Sequence, residues 1–243
     1  MNSLKIMQHF EELKKWIQPQ HLEKSALERI RNLPRRNFVE GVVIDDFFHD
    51  KLIDRLQYVI DAEAVYRKHF KLFTDDTPVS EEIFYQAPEE SRFLYRRIIQ
   101  GVKPDFRMSG NWLYYLKMLE FYKSAFSSYL DIISGFDLKL QSGLTYSHQF
   151  EHYLKKHSDV ASTDENKRQL CTILYLSRDW KPEYGGYLQM CLQDSKEKSI
   201  EAKCNRMVIF IPTQETDHYV TRHTEIARNK TRTCHVAWYR DRI

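Results

Sequence analysis

Five short runs rich in β-branched and aromatic residues, at 138–146, 170–176, 187–192, 207–211 and 234–239, fill the second half of the chain, each set off by polar turns. A strand of that length cannot bury its apolar face alone. Several in succession must pair, and the pattern predicts an antiparallel sandwich or barrel. The first half reads differently. Leu4, Met7, Phe10, Leu13 and Ile17 recur at three- and four-residue spacing, the stripe of a helix that should stop before Pro19. A short helix is expected over 21–32 and a valine-rich strand over 38–44. A further helix should start at Asp50 as its cap and bury Leu52, Ile53, Leu56, Val59 and Ile60. One long helix is expected to carry Trp112, Leu116, Leu119, Tyr122, Phe126, Tyr129 and Ile133, with Gly135 as its stop signal. Between them, 70–104 mixes aromatic and charged residues with Pro78 and Pro88 under no dominant period, so an irregular segment with one helix near its end is expected. No repeat or linker divides the chain. It reads as a single domain over 1–243, with 1–135 as mainly helical support and 136–243 as the β core.

Composition narrows the class. Aromatic residues at 14%, with only 7 Gly and 7 Pro, exclude a disordered chain. A net charge of +3 is too mild to imply nucleic acid or an anionic membrane as partner. The four cysteines show no C-x-x-C spacing, and three lie in or beside apolar strand-like runs, so reduced thiols are expected rather than disulfides or a zinc site. No run of about 18 apolar residues occurs, and 1–16 alternates apolar with charged residues. A soluble, cytoplasmic protein is the expectation.

Within the β-rich half stands His157-Ser158-Asp159. On an extended strand residues i and i+2 face the same way, so both side chains can reach one metal. With ten histidines a chance H-x-D arises roughly once in two such chains, and a strand-end histidine bonded to a nearby acid is the bland reading. A third ligand from another strand would complete a two-His, one-carboxylate face, the arrangement that holds Fe(II) with open positions. His218, beyond the strand at 207–211, is the candidate. Arg232 opens the last strand, and its planar fork suits the carboxylate of a dicarboxylate co-substrate, although an arginine there is more often a solvated surface residue.

The order of elements from His157 to Trp238 resembles the Fe(II)/2-oxoglutarate-dependent dioxygenase superfamily, of prolyl 4-hydroxylase type. His157-Ser158-Asp159 is followed by a strand ending in Tyr175-Leu176. Next come the Trp180-to-Gly185-Gly186 turn, then Asn205-Arg206-Met207-Val208-Ile209-Phe210, then a closing strand from Arg232 to Trp238. The resemblance implies an α+β fold with a double-stranded β-helix (jelly roll) core. It also implies Fe(II) on His157, Asp159 and His218, and 2-oxoglutarate with its distal carboxylate on Arg232. Tyr175 and Tyr146 are implied as further co-substrate contacts, O2 as oxidant and ascorbate as an accessory reductant. The interval from His218 to Arg232 is longer than in the hypoxia-factor relatives, whose spacing His223 would fit. His218-Tyr219-Val220 resembles the family's H-x-V, which favours His218. The extra residues, 221–229, are then a polar, basic loop near the mouth of the site, placed to shape substrate choice. Asp159 disfavours a halogenase, since related halogenases lack that carboxylate.

Three functional classes follow: a hydroxylase acting on a protein side chain or an amino-acid or peptide-like metabolite, a nucleic-acid demethylating oxygenase, and a non-catalytic binding domain that keeps the fold. The arginine-rich closing signature of the demethylases is not reproduced, and complete apparent ligands disfavour the binding domain. Substrate identity and oligomeric state leave no signature in the sequence.

Overall fold

The computed structural model describes residues 3–75, 77–160, 169–192, 195–213 and 216–242, with side chains from His9 onward. In chain order the elements are α1 (Ser3–Trp16), α2 (Lys24–Arg31), α3 (Arg35–Val39), β1 (Val42–Ile44), α4 (Asp50–Tyr58), β2 (Ala64–Leu72), α5 (Glu81–Gln86), β3 (Arg92–Val102), α6 (Gly110–Lys123), α7 (Ala125–Ser134), β4 (Leu138–His148), β5 (Tyr153–His157), β6 (Leu170–Tyr175), β7 (Leu188–Cys191), β8 (Glu197–Ile200), β9 (Met207–Phe210), β10 (His218–Val220) and β11 (Arg232–Asp241). The strands form one strongly curled antiparallel sheet in the order β1-β9-β6-β11-β4-β3-β5-β10-β7-β8, with β2 paired to β3. The result is an α+β jelly-roll core with helices packed on its outside.

The two faces of the sheet separate by simple alternation. Along β6, Leu170 and Leu174 join the helices, whereas Cys171, Ile173 and Tyr175 face the inside of the curl. Along β11, Ala237 and Tyr239 turn outward and Cys234 and Val236 inward. On the outer face Leu13 and Ile17 of the first helical stripe pack with Trp16, Phe47, Phe48, Phe121 and Phe126. Each such side chain contributes about 1.5–3 kcal/mol of transfer free energy on burial. This layer fixes the back of the sheet, so the front can hold polar groups without loss of the fold.

Four local expectations are corrected. The segment 70–104 has its helix, α5, in the middle and the long strand β3 near its end: β2 and β3 pair over nine positions from Ala64↔Val102 to Leu72↔Arg92, with α5 between them. Arg67 and Lys68 of β2 are exposed while Arg96 of β3 is buried, so charge does not follow the alternation that marks a strand in sequence. Phe38 and Val39 belong to α3, which follows Pro34 as N-cap, so the strand is only β1. Asp50 lies in the first turn of α4 and His49 is the N-cap, with no side-chain capping bond. The long helix is two, broken at Ser124 (φ −113, ψ −93), while Gly135 ends the second in the left-handed conformation as expected (φ 78).

β3 has a further role. It pairs with β4 through Arg97↔Ser147 and Ile98↔Tyr146, and with β5 through Leu94↔Leu154. It therefore joins the two sides of the curl and closes the front of the inner space. No disulfide joins cysteines among the described residues. No helix among them is long and apolar enough to cross a membrane.

Candidate active site

His157 ends β5 and His218 begins β10, and the two are direct antiparallel partners. That pairing puts their rings 4.3 Å apart between centroids. Asp159, two residues beyond His157, lies against both: its Oδ1 is 3.8 Å from His157 Nε2 and its Oδ2 is 3.6 Å from His218 Nε2. One donor atom from each of the three falls within 4.8 Å of the others, and among the described residues no second such group of His, Cys, Asp or Glu occurs. His157 Nδ1 donates to the Lys155 carbonyl at 2.9 Å, which selects the tautomer whose Nε2 lone pair faces the cluster. Phe93 and Phe210 stand edge-on to His157 and His218, so the imidazoles are held by apolar neighbours.

Asp159 is oriented by a residue to which the sequence assigned no role. Trp238 Nε1 donates to Asp159 Oδ2 at 2.8 Å. Trp238 closes the alternating inward series Arg232, Cys234, Val236, Trp238 on β11, so one strand face brings both Arg232 and Trp238 to the cavity wall. The cavity measures about 720 Å³ and is lined by the three clustered residues together with Tyr146, Ile173, Leu188 and Arg232. That volume lies in the range of small-molecule sites.

Arg232 is 1% exposed, and its Nε and Nη1 have no hydrogen-bond partner among the described residues. Nη2 donates to Tyr175 Oη at 3.3 Å. A buried guanidinium with open donors is destabilising unless an anion meets it. The same groups that destabilise the empty fold make a fitting seat for a carboxylate. Tyr175, fully buried, lies behind Arg232 rather than in the cavity wall, and burial pushes its phenol up to about 12, so it stays a neutral hydroxyl. Tyr146 does line the cavity, and burial raises its phenol well above the ordinary range too.

The turn at 180–186 makes room for the arginine. Trp180 Nε1 donates to the Gly185 carbonyl at 3.0 Å. Gly186 has φ +69, and a Cβ there would stand 2.9 Å from Arg232 Cδ, so only glycine suits both the backbone and the arginine stem. The Asn205-Arg206 pair works elsewhere. Arg206 grips Asp45 through two contacts of 2.6 and 3.0 Å, and Asn205 makes two 2.8 Å bonds to the Phe48 backbone, tying β9 to the end of β1.

His223 does not join the cluster. Its ring lies 4.6 Å from Trp180, buried at 6% exposure against the glycine turn, and its pKa is pressed down to about 3 by burial and then by the Arg232 charge. The loop 221–229 is pinned rather than free: Thr221 N donates to the Tyr187 carbonyl and Thr224 N to the Tyr184 carbonyl. Thr221 and Arg222 of this loop line the shallow groove beside the cavity.

Residues 143–240 match the model of the 2OG-Fe(II) oxygenase superfamily. The part of the chain that carries the site is thus similar to this superfamily. Its members work with Fe(II), 2-oxoglutarate and O2, and the donor set and the open guanidinium described above fit that metal and that dicarboxylate. Among solved structures, a Pseudomonas putida prolyl-4-hydroxylase is similar at 17% identity over 89% of this chain and 99% of that one (TM-score 0.55). A Trichoplax adhaerens prolyl hydroxylase, solved with a hypoxia inducible factor peptide fragment, matches at 11% identity over 99% and 94% (TM-score 0.58). A 2OG-Fe(II) oxygenase family oxidoreductase from Burkholderia pseudomallei matches at 13% over 89% and 92% (TM-score 0.58). At these identities the likeness is one of fold. No curated protein sequence matches the chain.

Proposed function

We propose that this chain is a member of that superfamily and a 2-oxoglutarate-dependent hydroxylase, acting on an unactivated C–H bond of a protein side chain or of an amino-acid or peptide-like metabolite. One observation carries the reading. A cluster of two imidazoles and a carboxylate lines a cavity, and Arg232 presents two buried, unpartnered donors in the same cavity.

In this reading His157, Asp159 and His218 hold Fe(II), and Arg232 grips the distal carboxylate of 2-oxoglutarate. Fe(II) with bound 2-oxoglutarate supplies the oxidative decarboxylation to succinate and CO2 that drives C–H hydroxylation by O2. The chain's own residues do the rest. The Lys155 carbonyl fixes the His157 tautomer, and Trp238 fixes the Asp159 carboxylate. Tyr175 steadies the arginine from behind, and Tyr146 borders the space between anchor and metal. Ile173, Leu188 and Val236 give part of the wall an apolar lining, beside which charge-assisted contacts are strengthened.

The test is uncoupled turnover. Purified protein with Fe(II), ascorbate and O2 should slowly convert 2-oxoglutarate to succinate without added substrate. Absence of succinate, alone and with candidate peptides and amino acids, would move the chain to the class of binding domains that keep the fold.

A further inference from the structure

The wall of the same cavity holds a second buried guanidinium. Arg96 on β3 is 7% exposed, and its plane lies 4.4 Å over the ring of Tyr146. Its Nε donates to His69 Nδ1 at 3.1 Å. His69, on the paired strand β2, is kept neutral, its pKa pressed to about 4 by burial and then by the Arg96 charge, so its lone pair stays available to orient the arginine. Arg96 forms no salt bridge with a carboxylate among the described residues. The acids in the cavity wall are Asp75 and Asp159, and Asp159 faces both imidazoles and the Trp238 indole.

Charge bookkeeping then gives a definite remainder. A divalent ion, Arg232 and Lys71 balance the carboxylates of Asp159 and Asp75 and the two of 2-oxoglutarate. Arg96 is left as one positive charge, desolvated, with its fork held in place by His69 and Tyr146. A buried charge in that state is stabilised only when an anion arrives, and a planar fork suits a carboxylate. Deepening the hydroxylase reading, and resting on it, we propose that Arg96 binds a carboxylate of the prime substrate, so that the molecule oxidised is an acid. The approach agrees in sign: the groove that shares Phe73, Leu154 and Val220 with the cavity carries Lys155, Lys156 and Arg222 against one acid, Glu197.

The experiment uses the full chain loaded with Mn(II) and 2-oxoglutarate without oxygen, so that binding is read without turnover. It is titrated calorimetrically with matched acids and amides: N-acetyl-L-glutamate and N-acetyl-L-glutamine, N-acetyl-L-proline and N-acetyl-L-prolinamide, glutarate and glutaramate. At least one acid should bind about tenfold or more tightly than its amide, the scale of one charge-assisted hydrogen bond. Arg96→Gln should erase that preference while changing the affinity for 2-oxoglutarate by less than about twofold. Equal behaviour of every pair with the unaltered protein, or a preference that survives Arg96→Gln, overturns the proposal. Should Arg96→Gln weaken 2-oxoglutarate as much as the acid, the carboxylate belongs to the co-substrate and the proposal is likewise overturned. If Arg96→Gln does not fold, Arg96→Lys, which keeps the charge but not the fork, carries the variant arm, and the wild-type comparison needs no variant. Failure of the unaltered protein to bind Mn(II) or 2-oxoglutarate strikes the hydroxylase reading instead, and the acid and amide titrations on metal-free protein then decide Arg96 separately.

Discussion

The indole Nε1 of Trp238 donates to Oδ2 of Asp159 at 2.8 Å, joining the closing strand to the only carboxylate among the three clustered residues. An outer hydrogen bond of this kind sets the rotamer of a ligand and the direction of its lone pairs, and its loss typically weakens metal binding by about 10–100-fold.

Trp238→Phe should therefore bind Mn(II) or Fe(II) about 10–100-fold more weakly, with the fold retained. Metal titration alongside circular dichroism checks this; unchanged metal affinity would remove the orienting role from Trp238.

His218→Ala should abolish metal binding, whereas His223→Ala should keep it. Because His223 is buried against Trp180 and the glycine turn, its loss should instead lower the melting temperature. The opposite pattern of metal binding would transfer the third ligand to His223.

Arg232→Gln should chiefly raise the concentration of 2-oxoglutarate required. Loss of a charge-assisted contact of about 1.5–3 kcal/mol corresponds to roughly ten- to hundred-fold. Titration of 2-oxoglutarate in the succinate assay reads it, and an unchanged half-saturating concentration would end the assignment.

Acid should destabilise the fold in a defined window. Burial holds His69 and His152 at about 4 and His223 and His235 at about 3, all below the unfolded value near 6.5. The unfolded chain takes up protons first, so stability present above pH 6.5 is lost as pH falls from there toward 4. Melting temperature followed across that interval should fall steeply, and His235→Gln should flatten the decline. A profile unaffected by that change would show that this histidine does not contribute.

Much of the site was legible because its parts obey short-range rules. His157 and Asp159 share a strand face by their i, i+2 spacing, and Arg232 and Trp238 share one by the same rule over six residues. His218 was reachable through its H-x-V context, and the structure places it opposite His157 while His223 packs elsewhere. What escaped reading was long-range. Nothing local in Arg92–Val102 says that this charged strand crosses from β4 to β5, so Arg96 and His69 fell in a segment read as irregular. Ser124, which breaks the long helix, carries no proline or glycine signal. The partnership of Trp238 with Asp159 spans 79 residues and depends on closure of the whole curl.

β10 is only three residues long, yet its first residue must sit opposite His157 for the cluster to exist. Side chains alternate along a strand, so a slip of one position would turn His218 away and present Tyr219. On the proposed reading, iron uptake should therefore act as a proofreading step on assembly, since the ion would clamp β10 only in the register that sets His218 opposite His157.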